Sequence, residues 1–180
     1  MADDHFAVFI EGVDLNIEGI SDEVRKAARI ALNATARRAI PAAARSMEQQ
    51  INFPRGYLSG QNARLGIAKY AKEDDLEAVV RGRDRPTSLA RFVSGGAKPG
   101  KKERGVTVQV KPGVTRRIPS AFAIKLRNGN VGLAYRTKDG RPPNSIGAKQ
   151  MAPGLWLLYG PSVDQVFNKT REYIADDLGD

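Results

Sequence analysis

The chain has 180 residues, 41% hydrophobic and 27% charged, with a formal charge of +9; this is the balance of a globular domain with enough apolar material for one core. It has no cysteine and a single histidine, His5. That excludes disulfides, thiolate metal sites and cysteine nucleophiles, and nearly excludes a Ser-His-Asp arrangement for Ser59, Ser88, Ser120 or Ser162.

Taken in order, Phe6, Val8 and Ile10, then Val13, Leu15 and Ile17, fall at alternate positions, with Gly12 between them. That spacing predicts a strand-like arm over residues 1–19. Its acidic start, MADDHFAVFI, is the opposite of a secretory signal, and no stretch of the chain approaches the ~18 apolar residues of a membrane span. Ser21 stands where an N-cap belongs, with Asp22 and Glu23 suited to the positive end of a helix. From Val24 to Ile51 the chain is Ala-rich, and Val24, Ala28, Ala31, Ala34 or Thr35, and Ala39 are expected to share the buried face. Pro41 predicts a kink or a break near Ile40.

Leu65 and Ile67, then Leu76, Ala78 and Val80, flank the acidic KEDD at 72–75 and predict a hairpin. Residues 86–92 read as a short helical turn. Val106, Val108 and Val110 alternate as a strand closed by Lys111-Pro112-Gly113. Apolar runs at 121–126 and 131–136 flank Asn128-Gly129, a strong hairpin signal. Residues 137–153, with three prolines and two glycines, read as a long loop. Leu155 to Tyr159 form a buried strand. Pro161 is assigned to the first position of an amphipathic C-terminal helix carrying Val163, Val166, Phe167, Thr170, Tyr173 and Ile174. The expected fold is α+β: a long N-terminal Ala-rich helix packed on an antiparallel sheet, with a C-terminal helix and extended loops. A single domain over 1–180 is expected, with 93–105 and 137–153 as flexible loops.

Gly95 to Lys102 spells GGAKPGKK and fits seven of the eight positions of the phosphate-cradling pattern G-x-x-x-x-G-K-[ST]. The chemistry fails at the eighth. Lys102 stands where a hydroxyl must hold Mg²⁺, and Pro99 removes a backbone N–H from the cradle. The stretch reads as a mobile basic loop instead. His5 reads as a solvated terminal side chain. Glu73-Asp74-Asp75 is a solvated turn, lacking the spacing of a calcium loop. Asn168-Lys169-Thr170 fits the glycosylation pattern by chance. No cofactor, metal or catalytic constellation is expected, so the chain reads as a non-enzyme.

Charge is unevenly spread. Residues 1–23 carry seven acidic side chains and no Lys or Arg, whereas 81–117 carry eleven Lys and Arg against two acids. Such asymmetry suggests a polyanion partner, a second copy of the chain meeting acidic end to basic middle, or a solvated basic face. The candidate interface or DNA-facing residues are Arg81, Arg83, Arg85, Arg91, Lys98, Lys101, Lys102, Arg104, Arg116 and Arg117. Phe92 is the one aromatic in that segment, so nucleic-acid contact there would be electrostatic and blind to sequence. Trp156 and Tyr159 are read either as interface anchors or as core side chains.

Several stretches together resemble a known family. They are A-L-N-A-T-A at 31–36, R-P-T-S-L-A-R-F at 85–92, I-P-S-A-F at 118–122, N-G-N-V-G at 128–132 and L-Y-G-P-S-V at 158–163. In this order they resemble the minor tail protein Z family of tailed bacteriophages and prophages, over roughly residues 20 to 178. None of these stretches is a catalytic signature. The resemblance implies a structural virion protein that is assembled in the bacterial host cytoplasm. It would complete the proximal end of the tail and join it to the head as part of a ring at the neck, with six copies expected. Its implied partners are further copies of itself, the tail terminator or tail tube, the head connector and packaged DNA, with no membrane. The alternative carried by the basic segment is a sequence-nonspecific nucleic-acid-binding protein.

Overall fold

The computed structural model describes residues 21–61, 63–100, 105–137, 141 and 147–178, with 171–178 described by backbone alone. The expected arm over 1–19, His5, and Lys101, Lys102 and Arg104 lie outside the described residues. No helix among the described residues is long and apolar enough to cross a membrane.

Helix α1 spans Asp22–Gln50, and Ser21 caps it by accepting from the Val24 backbone N–H at 3.5 Å. The break expected near Ile40 does not occur, because the helix runs on through Pro41. Proline costs the helix the bond that would reach the Arg37 carbonyl. Arg37 and Pro41 are both exposed, so solvent can satisfy that carbonyl, while Ala36 and Ala43 are buried on either side. The buried face also differs from the expected one. It carries Asn33, Ala36, Ala43, Ala44 and Met47, whereas Val24, Ala31, Thr35 and Ala39 are exposed. Alanine at nearly every position blurs the apolar stripe, and Met47 with the polar Asn33 marks it instead.

Strands β1 (Leu65–Lys69) and β2 (Val79–Gly82) form the expected antiparallel hairpin, with Leu65 opposite Gly82 and Ile67 opposite Val80. Helix α1 packs on this hairpin rather than on the main sheet. Asn33 clamps the hairpin tip, donating from Nδ2 to the Ala71 carbonyl at 3.0 Å and accepting at Oδ1 from the Ala71 N–H at 2.9 Å. Arg29 pairs with Glu73 at 3.3 Å.

The short strand β3 (Thr87–Ser88) runs into a 3₁₀ turn at Leu89–Phe92. Strands β4 (Val106–Lys111) and β5 (Val114–Ile118) form a second separate hairpin. Sequence periodicity missed β5, whose residues Val-Thr-Arg-Arg are all exposed and so carry no alternation. Strands β6 (Ala121–Lys125) and β7 (Val131–Arg136) pair across a three-residue turn. The Gly129 N–H donates to the Leu126 carbonyl at 2.9 Å, and Gly129 takes the left-handed φ of 79° that the third turn position requires.

Residues 147–152, expected within a loop, form strand β8 (Gly147–Ala152), paired antiparallel with β9 (Leu155–Gly160). Most of β8 is exposed, and one edge of β9 holds it by backbone bonds, so side-chain composition gave little sign of it. In the main sheet β9 carries β3 and β7 one after the other along one edge and β8 along the other, and β6 pairs with β7. Helix α2 spans Val163–Leu178. Pro161 precedes the cap rather than opening the helix. Ser162 and Gln165 form a reciprocal capping box, each side chain accepting from the other's backbone N–H at 3.0 Å.

The architecture is α+β. Its core draws on both helices, all three sheets and the 3₁₀ turn, with Met47, Leu58, Leu65, Leu133, Leu158 and Val163 fully buried. The two helices meet where Gln50 Nε2 donates to Thr170 Oγ1 at 3.0 Å. At the end of α1, the Asn52 N–H donates to the Val110 carbonyl at 2.7 Å and ties the helix to β4.

Candidate interface: an arginine-lined cleft

The chain after α1 turns sharply, and Phe53 stacks on Tyr57 with ring centroids 5.7 Å apart. Phe53 also tilts against Phe92 of the 3₁₀ turn at 6.1 Å. Tyr57 is thereby fixed beside the open end of the β1–β2 hairpin, and its hydroxyl donates to Thr87 Oγ1 at 3.5 Å. At that open end, Arg64 and Arg83 continue the strand pairing, the Arg83 N–H donating to the Arg64 carbonyl at 2.7 Å. The guanidinium of Arg64 lies 5.9 Å from the Tyr57 ring centroid and that of Arg91 lies 5.2 Å from it. Both are within cation–π range.

These side chains line a cleft of about 730 Å³. Arg64, Arg83, Arg85 and Arg91 supply its charge, Ser88, Asn128 and Asn130 its neutral polar groups, and Leu126, Val131 and Leu157 its apolar surface. Tyr57 and Tyr159 also line it, and none of the described residues lining it is Asp or Glu. Four guanidinium-bearing side chains facing one cleft favour anions, because each presents a planar fork matched to a carboxylate or a phosphate.

Among the described residues, the expected basic stretch is therefore divided rather than continuous. Arg83, Arg85 and Arg91 come together in the cleft, whereas Arg81 is exposed on β2 and does not line it. Lys98 lines a smaller pocket with Val106, Phe122 and Ala123. Arg116 and Arg117 stand exposed on β5, with Arg116 bordering a separate, mainly apolar groove of about 470 Å³. Tyr159 reaches both this groove and the cleft. Trp156 is half-buried, its Nε1 enclosed with no hydrogen-bond partner among the described residues.

Arg64 and Tyr57 escaped the sequence reading. Arg64 carried a usable signal, since any register that pairs Leu65 with Gly82 sets Arg64 beside Arg83. Tyr57 carried none, because its position depends on a loop packing against Phe53. The GGAKPGKK stretch follows a 3₁₀ turn, and the next element is strand β4, which is not the strand-then-helix setting of a phosphate loop. Among the described residues, no group of three or more His, Asp or Glu side chains is placed to hold a metal ion.

Comparison of the chain with family models, with curated proteins and with solved structures gives no match.

Proposed function

We propose that this chain is a structural virion protein that completes the proximal end of a phage tail and joins it to the head, acting as one subunit of a ring. It works by assembly and docking rather than by catalysis. One observation carries the reading. Three of the five stretches that resemble the tail protein family, at 85–92, 128–132 and 158–163, lie far apart in sequence yet contribute to the same cleft. A surface assembled from distant stretches and charged with one sign suits a docking role, in which complementary charge sets partner and orientation. A ring closes through heterologous contacts, each subunit presenting two different patches.

The test is a joining assay. Tails assembled without this protein are mixed with filled heads, with and without the purified chain, and intact particles are counted by electron microscopy. Joining that depends on added protein is the expected result. Joining that proceeds equally without it removes the assembly role.

A second reading, sequence-nonspecific nucleic-acid binding, draws on the same arginines. Under it, affinity for DNA falls steeply with salt, and neutralising Arg83, Arg85 and Arg91 flattens that dependence. A response to salt that these substitutions leave unchanged counts against it.

A further inference from the structure

We infer that the arginine cleft is the socket for the acidic stretch Glu11–Glu18 of a second copy of this chain. The inference rests on the ring-assembly reading and names the contact that would build the ring.

The first argument is charge. The cleft gathers Arg64, Arg83, Arg85 and Arg91 with no acidic lining residue among those described. The chain's own complement is residues 1–23, which hold seven acids and no Lys or Arg. Within it, Asp14, Asn16 and Glu18 alternate with Val13, Leu15 and Ile17. An extended segment with this alternation has one carboxylate face and one apolar face. The cleft offers guanidinium groups for the first and Leu126, Val131 and Leu157 for the second.

The second argument is reach. The hairpin tip lies against the N-terminal half of α1, since Ala71 bonds Asn33 and Glu73 pairs with Arg29. The opposite end of the hairpin lies near the C-terminal end of α1, because the Asp164 N–H donates to the Arg83 carbonyl and Thr170, less than two turns further along α2, bonds Gln50. At about 1.5 Å per residue, the cleft is about 40 Å along the helix from Ser21. A fully extended chain from Ser21 back to Glu11 spans about 35 Å at most, and to Asp14 or Glu18 much less. Asp14 and Glu18 therefore fall short of their own cleft and can meet only a neighbour's. Donor and acceptor stand at opposite ends of a long helix, so the contact is heterologous and propagates from copy to copy, as a ring requires.

The third argument separates peptide from nucleic acid. Single-strand readers stack bases on aromatic faces. The Tyr57 ring is already engaged by Phe53, Arg64 and Arg91, which leaves Tyr159 as a single ring rather than a row of platforms for successive bases. A carboxylate needs only the guanidinium forks.

The test uses the full-length chain in sedimentation equilibrium. Wild-type protein is expected to self-associate, and to do so less at high salt. The cleft variant Arg83→Glu/Arg85→Glu and the segment variant Asp14→Lys/Glu18→Lys are each expected to weaken association by about tenfold or more per reversed charge. An equimolar mixture of the two variants restores association, because each supplies the half that the other lacks; a variant that had merely failed to fold would not be rescued. A labelled peptide of residues 9–20 gives an independent reading. It binds the wild-type chain, and its Glu11→Gln/Asp14→Asn/Glu18→Gln form does not. A wild-type chain that stays monomeric, a mixture that fails to re-associate, or a short oligothymidylate that occupies the cleft while the peptide does not would each overturn the socket. The joining assay keeps this separate from the assembly role. If the chain joins heads to tails although the cleft variants associate and join normally, the socket is wrong and the role stands. If cleft-dependent association occurs without any effect on joining, the role is wrong and the socket stands.

Discussion

Two hairpins with strands of similar length, β1–β2 and β4–β5, differ in almost everything except their pairing. Both are separate two-stranded antiparallel units, and both have an irregular register near one end. The first is held between the helices. Leu65, Val79, Val80 and Gly82 are buried, Asn33 of α1 closes its tip, and α2 lies directly on Gly82. The second buries only Val108 and Ile118 fully, and leaves Arg116 and Arg117 exposed and Val114 at 58% exposure. A two-stranded hairpin is marginal by itself, so what covers it decides its role. The helices make β1–β2 part of the scaffold and let its open end aim Arg64 and Arg83 into the cleft. The second hairpin presents its surface outward.

The largest expected effect tests burial directly. Leu65→Ala should lower stability by about 3 kcal/mol in urea denaturation, since it removes a side chain at 2% exposure from the shared core. Val114→Ala should stay within about 0.5 kcal/mol of wild type. If the two cost the same, Val114 is covered in solution, and β4–β5 is an interface rather than an open surface.

Next in size is the contact with α2. A Cβ on Gly82 would come within 2.8 Å of the backbone N and Cα of Asp164, which cannot swing aside as a side chain can. Gly82→Ala should cost about 2–3 kcal/mol. Gly113, in the turn of the other hairpin, has open space around its Cβ direction and a φ of 75°. Gly113→Ala should cost about 1–2 kcal/mol, from the left-handed backbone alone. An equal or larger loss at Gly113 would mean that the β4–β5 turn is packed against something.

Smaller again is the tip clamp. Asn33→Ala leaves both backbone groups of the buried Ala71 without their partner, which should cost about 2 kcal/mol. Hydrogen exchange at the Ala71 amide should rise well before global unfolding. Unchanged protection would show that the tip is held by other contacts.

The same contrast explains what the sequence disclosed. The hairpin over 65–82 was legible from apolar residues at alternate positions around an acidic turn, that over 121–136 from Asn-Gly between two apolar runs, and the start of α1 from its cap. Strands β5 and β8 face solvent with most of their side chains, so no apolar period marked them, and their backbone bonding depends on partners that periodicity does not name. In α1, alanines on every side hid which face was inward. Of the seven candidate cations among the described residues, Arg83, Arg85 and Arg91 were brought together by the fold. The fourth member of the cluster, Arg64, sits outside the basic segment and joins it only through strand register. Charge counted along the chain finds a basic region, whereas charge gathered across a hairpin makes a site.

The smallest effect concerns the charged end of β1. Lys69 Nζ lies 2.6 Å from Asp75 Oδ2 and also bonds the Glu77 carboxylate. The hydrogen bonds that the ammonium donates, first to Asp75 and then to Glu77, hold its pKa above the ordinary lysine value. A raised pKa means that the folded chain keeps this proton more firmly than the unfolded chain does. The resulting stability is fully present below the unfolded lysine's pKa and is lost as pH rises through the folded value. The stability gap between wild type and Lys69→Met should therefore be constant through neutral pH and change only in the alkaline range, shifting against wild type there. Exposure and solvent screening keep it small, and added salt should shrink it at neutral pH. A Lys69 gap that stays flat to high pH would mean that the cluster's bonds do not persist in solution. The acidic turn would then be an open surface like β5, and the distinction between the two hairpins would rest on their apolar cover alone.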